Sequence, residues 1–345
     1  MKAAVDERLV AAVLREAFAL RSKDPEQARN WCHLAVLAAR RLPTSGAKDL
    51  LPQCLANLGN AHRVLRDFER AGELLREAEF LAEGAAPLIQ AEVASLYASY
   101  LTDVRQLAAA EARLREAEAL TARWGSRHDL GKLKVQRAYI QEIQGRTKEA
   151  IETLTEAMNL LEGERDLLLL LMTLHNLADM LLSLGDFKQA WSVFESVSDD
   201  AYCKLGGAKG RWLRLWLKGR LMAGERRWHS ASLAYEEARQ LQGSDAGCLD
   251  RAILELDLVE ANVELGDLGR AIEGAKRASS LCSRLMVGPE LLVALCALAS
   301  FRPKEAREEK FLTPLRQVRN DLRGYLYPFG SQPEPCSLSP DPCVS

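Results

Sequence analysis

The chain has 345 residues, 46 of them basic and 48 acidic, so a formal charge of -2 supplies no global field toward nucleic acid or an anionic membrane. Aromatics at 6% and charged residues at 27%, with Leu and Ala dominant, suit helices better than sheets. Apolar runs such as Leu167 to Met172 and Leu291 to Ala299 are far short of the ~20 residues that cross a bilayer, and Met1 to Leu20 reads as a charged amphipathic helix rather than a leader. A soluble cytoplasmic protein with no membrane partner is the expectation. The eight cysteines include no CxxC pair, so they read as small buried hydrophobes rather than metal ligands.

Taken in chain order, the first helical pair turns at Asp24-Pro25-Glu26-Gln27, with Asp at the cap, Pro at the first helical position and Gln at the third. Pro43 to Pro52, with Thr44, Ser45 and Gly46, reads as a loop. Leu55 to Leu81 then shows the unit most clearly: two amphipathic helices around a tight turn, with Asp67 as the cap of the second. Gly59, Ala71 and Ala78 sit where two backbones cross closely, and larger side chains there would push the helices apart. Gly84 to Pro87 and Gly243 to Gly247 mark loops between pairs. Gly185-Asp186-Phe187 and Gly266-Asp267-Leu268 each put glycine where a helix ends left-handed, followed by an Asp cap.

The unit repeats. Its inner alanines are Ala28, Ala71, Ala110, Ala150, Ala190, Ala231 and Ala271, at steps of 43, 39, 40, 40, 41 and 40 residues. Seven residues after each come Ala35, Ala78, Ala117, Ala157, Val197, Ala238 and Ala278. Two series in phase over so long a stretch predict seven stacked helical hairpins.

Leu55, Leu58, Gly59, Ala71, Leu75 and Ala78, and again Leu174, Leu177, Ala178, Ala190 and Phe194, match the pattern of the tetratricopeptide repeat family. Ala138, Ala150, Leu154 and Ala157, and Gly219, Ala231, Tyr235 and Ala238, match it less fully. The chain resembles that family over residues 9 to 285, with a degenerate eighth hairpin to about residue 323. Its repeats are nearer 40 residues than the usual ~34, similar to the repeat tracts of bacterial regulators of the maltose-activator type and related signalling proteins. The resemblance implies an all-α, right-handed superhelical solenoid of seven to eight antiparallel hairpins, non-catalytic, binding a protein or peptide partner in a concave groove. It divides the chain into a capping hairpin at 1–42, repeats at 52–285, degenerate helices at 286–327 and a proline-rich disordered tail at 328–345.

In such a fold the first helices line the groove. Projection gives Ala56 and Asn60, Ser95 and Ser99, Val135 and Tyr139, His175 and Asp179, Trp216 and Arg220, and Leu256 and Glu260. Asn57, Asn60 and Arg63 resemble a polar cluster that grips a peptide backbone or carboxylate, although asparagines here are common in the generic repeat and the clamp lysines are absent. The partner-binding candidates are Asn57, Asn60, Arg63, Tyr139, His175, Asp179, Trp216 and Arg220. Lys204 to His229 is rich in Lys and Arg, with Arg211, Arg214 and Lys218 on one helical face. It reads either as a basic patch for an acidic partner or as a solvated face whose stems cover Trp212 and Trp216.

Leu205 to Gly210 lacks phosphate-loop spacing, and HExxH, GxSxG and dinucleotide fingerprints are missing, so no cofactor, metal or catalytic residue is expected. A second reading is the peptide- or ligand-sensing module of a bacterial transcription or signalling system whose DNA-binding part lies on another chain. Neither reading gives this chain specific nucleic-acid binding by itself, and neither specifies its oligomeric state.

Overall fold

The computed structural model describes residues 6–21, 24–204, 208–242 and 248–284, and these form fifteen helices and no strand. The expected loop at 243–247, the degenerate helices at 286–327 and the tail at 328–345 lie outside the described residues. Two compact units divide after Glu162. The first holds four antiparallel hairpins. They are α1 (Glu7–Leu20) with α2 (Pro25–Ala39), α3 (Thr44–Val64) with α4 (Phe68–Ala82), α5 (Pro87–Asp103) with α6 (Leu107–Trp124), and α7 (Arg127–Ile143) with α8 (Thr147–Met158). The second holds three, namely α9 (Leu167–Ser183) with α10 (Phe187–Glu195), then, after the short α11 (Asp199–Cys203), α12 (Ala208–Gly224) with α13 (Trp228–Leu241) and α14 (Cys248–Leu265) with α15 (Leu268–Arg284).

Small side chains let the helices of each pair touch. Both alanine series are buried, from Ala28 and Ala35 to Ala271 and Ala278. On the facing helices stand Gly59, Ala98, Ala138, Ala178 and Gly219. A Cβ on Gly59 would lie 2.8 Å from Leu75 Cγ, and one on Gly219 would lie 2.5 Å from two ring carbons of Tyr235. Such approaches force a shift of helix or side chain. In the last hairpin Val259 takes the small position and the relief moves across the contact, because a Cβ on Gly274 would lie 2.9 Å from Val259 Cγ2.

The turns inside six of the hairpins share one geometry. Arg66, Arg105, Gly145, Gly185, Arg226 and Gly266 have φ between 60 and 80°. At each, the next residue's N–H reaches the carbonyl five residues back, as Asp67 to His62 and Asp186 to Leu181 do, at 2.9 and 3.0 Å. This closes the helix end in a Schellman turn. Asp24, Asp67, Asp186 and Asp267 then accept from first-turn amides of the following helix.

One expectation needs correction. Residues 44–52 form the first turns of α3, not a loop, with buried Pro52 inside the helix. Leu50 and Leu51 pack on the core there, and Asp49 Oδ1 accepts from Ala86 N at 2.7 Å, which offsets the one backbone bond that proline removes. The fifth hairpin departs from the regular unit where Val197 replaces alanine: α10 has only nine residues, and α11 is inserted before α12.

Candidate functional site

In the first unit the leading helices of four successive repeats line one cleft of about 430 Å³. Phe18 comes from α1 and Arg21 from its C-terminal cap, Asn57, Asn60, Ala61 and Val64 from α3, Glu92, Ser95, Leu96 and Ser99 from α5, and Asp129, Lys132, Leu133 and Gln136 from α7. Ala28 and Cys32 of α2 and Thr121 of α6 complete it. Burial pushes the Cys32 thiol up to about 12, so it behaves here as an apolar wall. The volume suits a short peptide segment, and apolar surface beside placed polar groups is the composition of a ligand site.

The polar floor is a set of bonds between neighbouring repeats. Asn57 Nδ2 donates to Gln53 O at 3.0 Å and to Glu92 Oε1 at 2.9 Å, and Gln53 Nε2 donates to Glu92 Oε2 at 2.7 Å. Asn60 Oδ1 accepts from Arg63 Nε at 2.9 Å. One repeat further, Ser95 Oγ donates to Gln136 Oε1 at 3.0 Å, and Gln136 Nε2 donates to Ser99 Oγ at 2.7 Å. These partners settle both asparagine orientations, since Asn57 must present nitrogen to a carboxylate and Asn60 oxygen to a guanidinium. Asn57 Oδ1 and the Asn60 amide N–H groups keep hydrogen-bonding capacity at the cleft. That is one acceptor and one donor a helical turn apart, the pair a peptide main chain presents in reverse.

The other candidates are placed differently. Arg63 is buried, with Nη1 on Asp103 at 2.6 Å, and orients Asn60 from behind. Tyr139 is half-buried, and burial followed by the Asp103 charge pushes its phenol above the usual range. His175, Asp179, Trp216 and Arg220 are all buried. Asp179 pairs with Arg220, Trp216 Nε1 donates to Asp257 at 2.6 Å, and the His175 ring lies 6.1 Å from the Trp216 ring. The projection onto an accessible wall is therefore corrected for these four, because the next repeat closes over them and supplies the opposite charge or ring.

The basic face also divides. Arg211 and Lys218 are exposed, whereas Arg214 is half-buried, its guanidinium 4.2 Å from the Phe194 ring centre and its Nε on Asp199. The inserted α11 brings that aspartate, so Arg214 is not an open cation. Gln136 and Glu92 are the cleft residues that sequence reasoning missed. Their signal was a long polar side chain one repeat from another polar one.

Hairpins that meet through small residues, turn left-handed at a fixed interval and present their leading helices to a shared cleft define a helical-repeat array. Residues 129–199 match the family model for the tetratricopeptide repeat. A search of curated proteins finds no match. Among solved structures it is similar to a Rap protein complexed with Competence and Sporulation Factor, at 12% identity and a TM-score of 0.67 over 93% of this chain and 89% of that one. It is also similar to NprR in complex with its cognate peptide NprX, at 14% identity and 0.56 over 90% and 88%. A tetratricopeptide repeat protein from Parabacteroides merdae aligns at 14% and 0.53 over 85% and 99%. At such identities the likeness carries the fold alone.

Proposed function

We propose that this chain is a non-catalytic interaction scaffold that holds an extended peptide, or an exposed segment of a partner protein, in the cleft of its first unit. The observation that carries the reading is the Asn57–Asn60 pair, whose unspent acceptor and donor face a cleft with apolar walls. Hydrogen bonding to the main chain would supply affinity that tolerates many side chains, and the pocket walls would supply selectivity. The test is selection of a random heptapeptide library on the intact chain. An enriched peptide should bind at least about tenfold more weakly to Asn60→Ala, the loss expected for one or two cleft hydrogen bonds. Its melting temperature should stay near wild type, because Arg63 keeps Asp103. Equal binding by the variant would remove Asn60 from the site.

A second reading, the sensing module of a bacterial regulatory system, draws support from the likeness to a Rap protein and to the peptide-bound NprR. Under it, peptide binding would alter how the chain engages a second protein, and any DNA contact would belong to that protein. A gel shift with this chain alone should show no specific band. Tight, salt-dependent binding would overturn that view.

A further inference from the structure

The charges around the cleft are compensated in different ways. Lys132 lies 3.4 Å from Asp129, which also accepts from Ser126 Oγ at 2.6 Å, and the Arg21 guanidinium rests 3.7 Å over the Phe18 ring. Glu92 differs. Both its oxygens are held, but only by the neutral amides of Gln53 and Asn57, and among the described residues no Lys, Arg or His forms an ion pair with it.

A carboxylate has about four acceptor sites, and two of these are used. The amides come from α3 while Glu92 stands on α5, so the group is fixed in direction by the neighbouring repeat, half-buried and at the cleft wall. A fixed anion in a partly desolvated cleft is poorly compensated by water and attracts a cation more strongly than one on open surface.

We propose that Glu92 is the anchor for a cationic side chain of the bound peptide, a Lys or Arg, while Phe18, Ala28 and Ala61 receive an apolar neighbour. The cleft would then select short peptides that combine a basic residue with an apolar one. This rests on the cleft reading above and adds its chemical selectivity.

The experiment uses the full chain on an array of heptapeptides. Their central residue is Lys, ε-acetyl-lysine or Glu, and the flanking positions are mixtures of Ala, Leu, Ser and Gly. Wild type should prefer Lys over acetyl-lysine by roughly tenfold, the scale of one charge-assisted hydrogen bond in such a site, and should bind the Glu set most weakly. Glu92→Gln should bring the Lys to acetyl-lysine ratio close to one while keeping acetyl-lysine binding, because the glutamine oxygen still accepts from Asn57. Glu116→Gln, on the exposed part of α6, should leave the ratio unchanged.

A wild-type ratio near one overturns the proposal whatever the variant does. So does a ratio that survives Glu92→Gln. In both cases the cleft reading stands if Asn60→Ala still weakens binding by about tenfold or more. If wild type binds no peptide in the array, both readings fall.

Discussion

Arg63→Ala tests whether the cleft is built by contacts between repeats. The Arg63 side chain is 1% exposed, its Asp103 partner is 16% exposed, and Nη1 to Oδ2 is 2.6 Å. Removing one partner of a buried pair costs about 3 to 5 kcal/mol. The partial hydration of Asp103 lowers this to roughly 2 to 3 kcal/mol, and arginine and alanine are both good helix formers, so propensity changes little. At about 2 to 4 °C per kcal/mol for a unit of this size, the melting temperature followed by circular dichroism should fall by roughly 5 to 10 °C. Peptide binding should weaken as well, since Asn60 loses its orienting donor. A cycle with Asp103→Asn should give a coupling energy of about 1 to 3 kcal/mol. A drop below about 2 °C, or strict additivity in the cycle, would show that the pair does not join the second and third hairpins energetically.

Further outcomes follow from the turns, the crossings and the thiols. Gly185→Ala should destabilise by about 1 kcal/mol from backbone strain alone, since φ is +78° and nothing lies within 4 Å of the added Cβ, whereas Arg66→Gly should be neutral to stabilising by a few tenths. Denaturant titration resolves the two signs, and equal signs would refute the strain argument. Gly219→Ala should cost about 1 to 3 kcal/mol despite the better helix former, with recovery in the double variant carrying Tyr235→Leu; a lack of recovery would mean that the ring is not what resists the methyl. Burial pushes the Cys32 and Cys54 thiols up to about 12. At pH 8 only on the order of one in ten thousand of each would be thiolate. Brief alkylation of the native chain followed by peptide mapping should therefore mark exposed Cys203 and spare both.

The hairpin register was legible because it rests on local necessity. A close crossing strongly favours Gly or Ala, so Ala71 or Ala150 can be read without knowing its neighbours. Glycine at a left-handed turn is legible for the same reason, but Arg66, Arg105 and Arg226 take φ near 60° in equivalent turns. The Schellman bonds outweigh a penalty of about 1 to 2 kcal/mol there, with a side-chain cap following only Arg66, and no local signal announces it. The site was half legible. Helical periodicity identified the face that carries Asn57, Asn60 and Arg63, yet periodicity along one helix does not say whether the next repeat covers that face. It leaves Asn57 and Asn60 half-buried at the cleft and buries Arg63, Asp179, Trp216 and Arg220.

What covers them is itself periodic. Arg63 reaches Asp103 across 40 positions, and Ser95 reaches Gln136 and Trp216 reaches Asp257 across 41. A polar side chain on a leading helix thus finds its partner about one repeat away, and in a linear array such bonds contribute to the nearest-neighbour coupling between repeats. Their chemistry differs along the chain. In the second unit they include the buried Asp179–Arg220 pair, and buried charges of that kind must be well compensated to be tolerated at all. In the first unit the Arg63–Asp103 pair does the same between α3 and α5, but at the cleft the bonds run through Asn57, Ser95, Ser99 and Gln136, neutral groups that each bring both donor and acceptor capacity. A side chain that spends its donors on the neighbouring repeat, as Asn57 does, still has an acceptor to offer. The same contacts that align these repeats therefore leave binding capacity where the ladder is built from amides and hydroxyls, which is why the proposed recognition surface is on α3, α5 and α7.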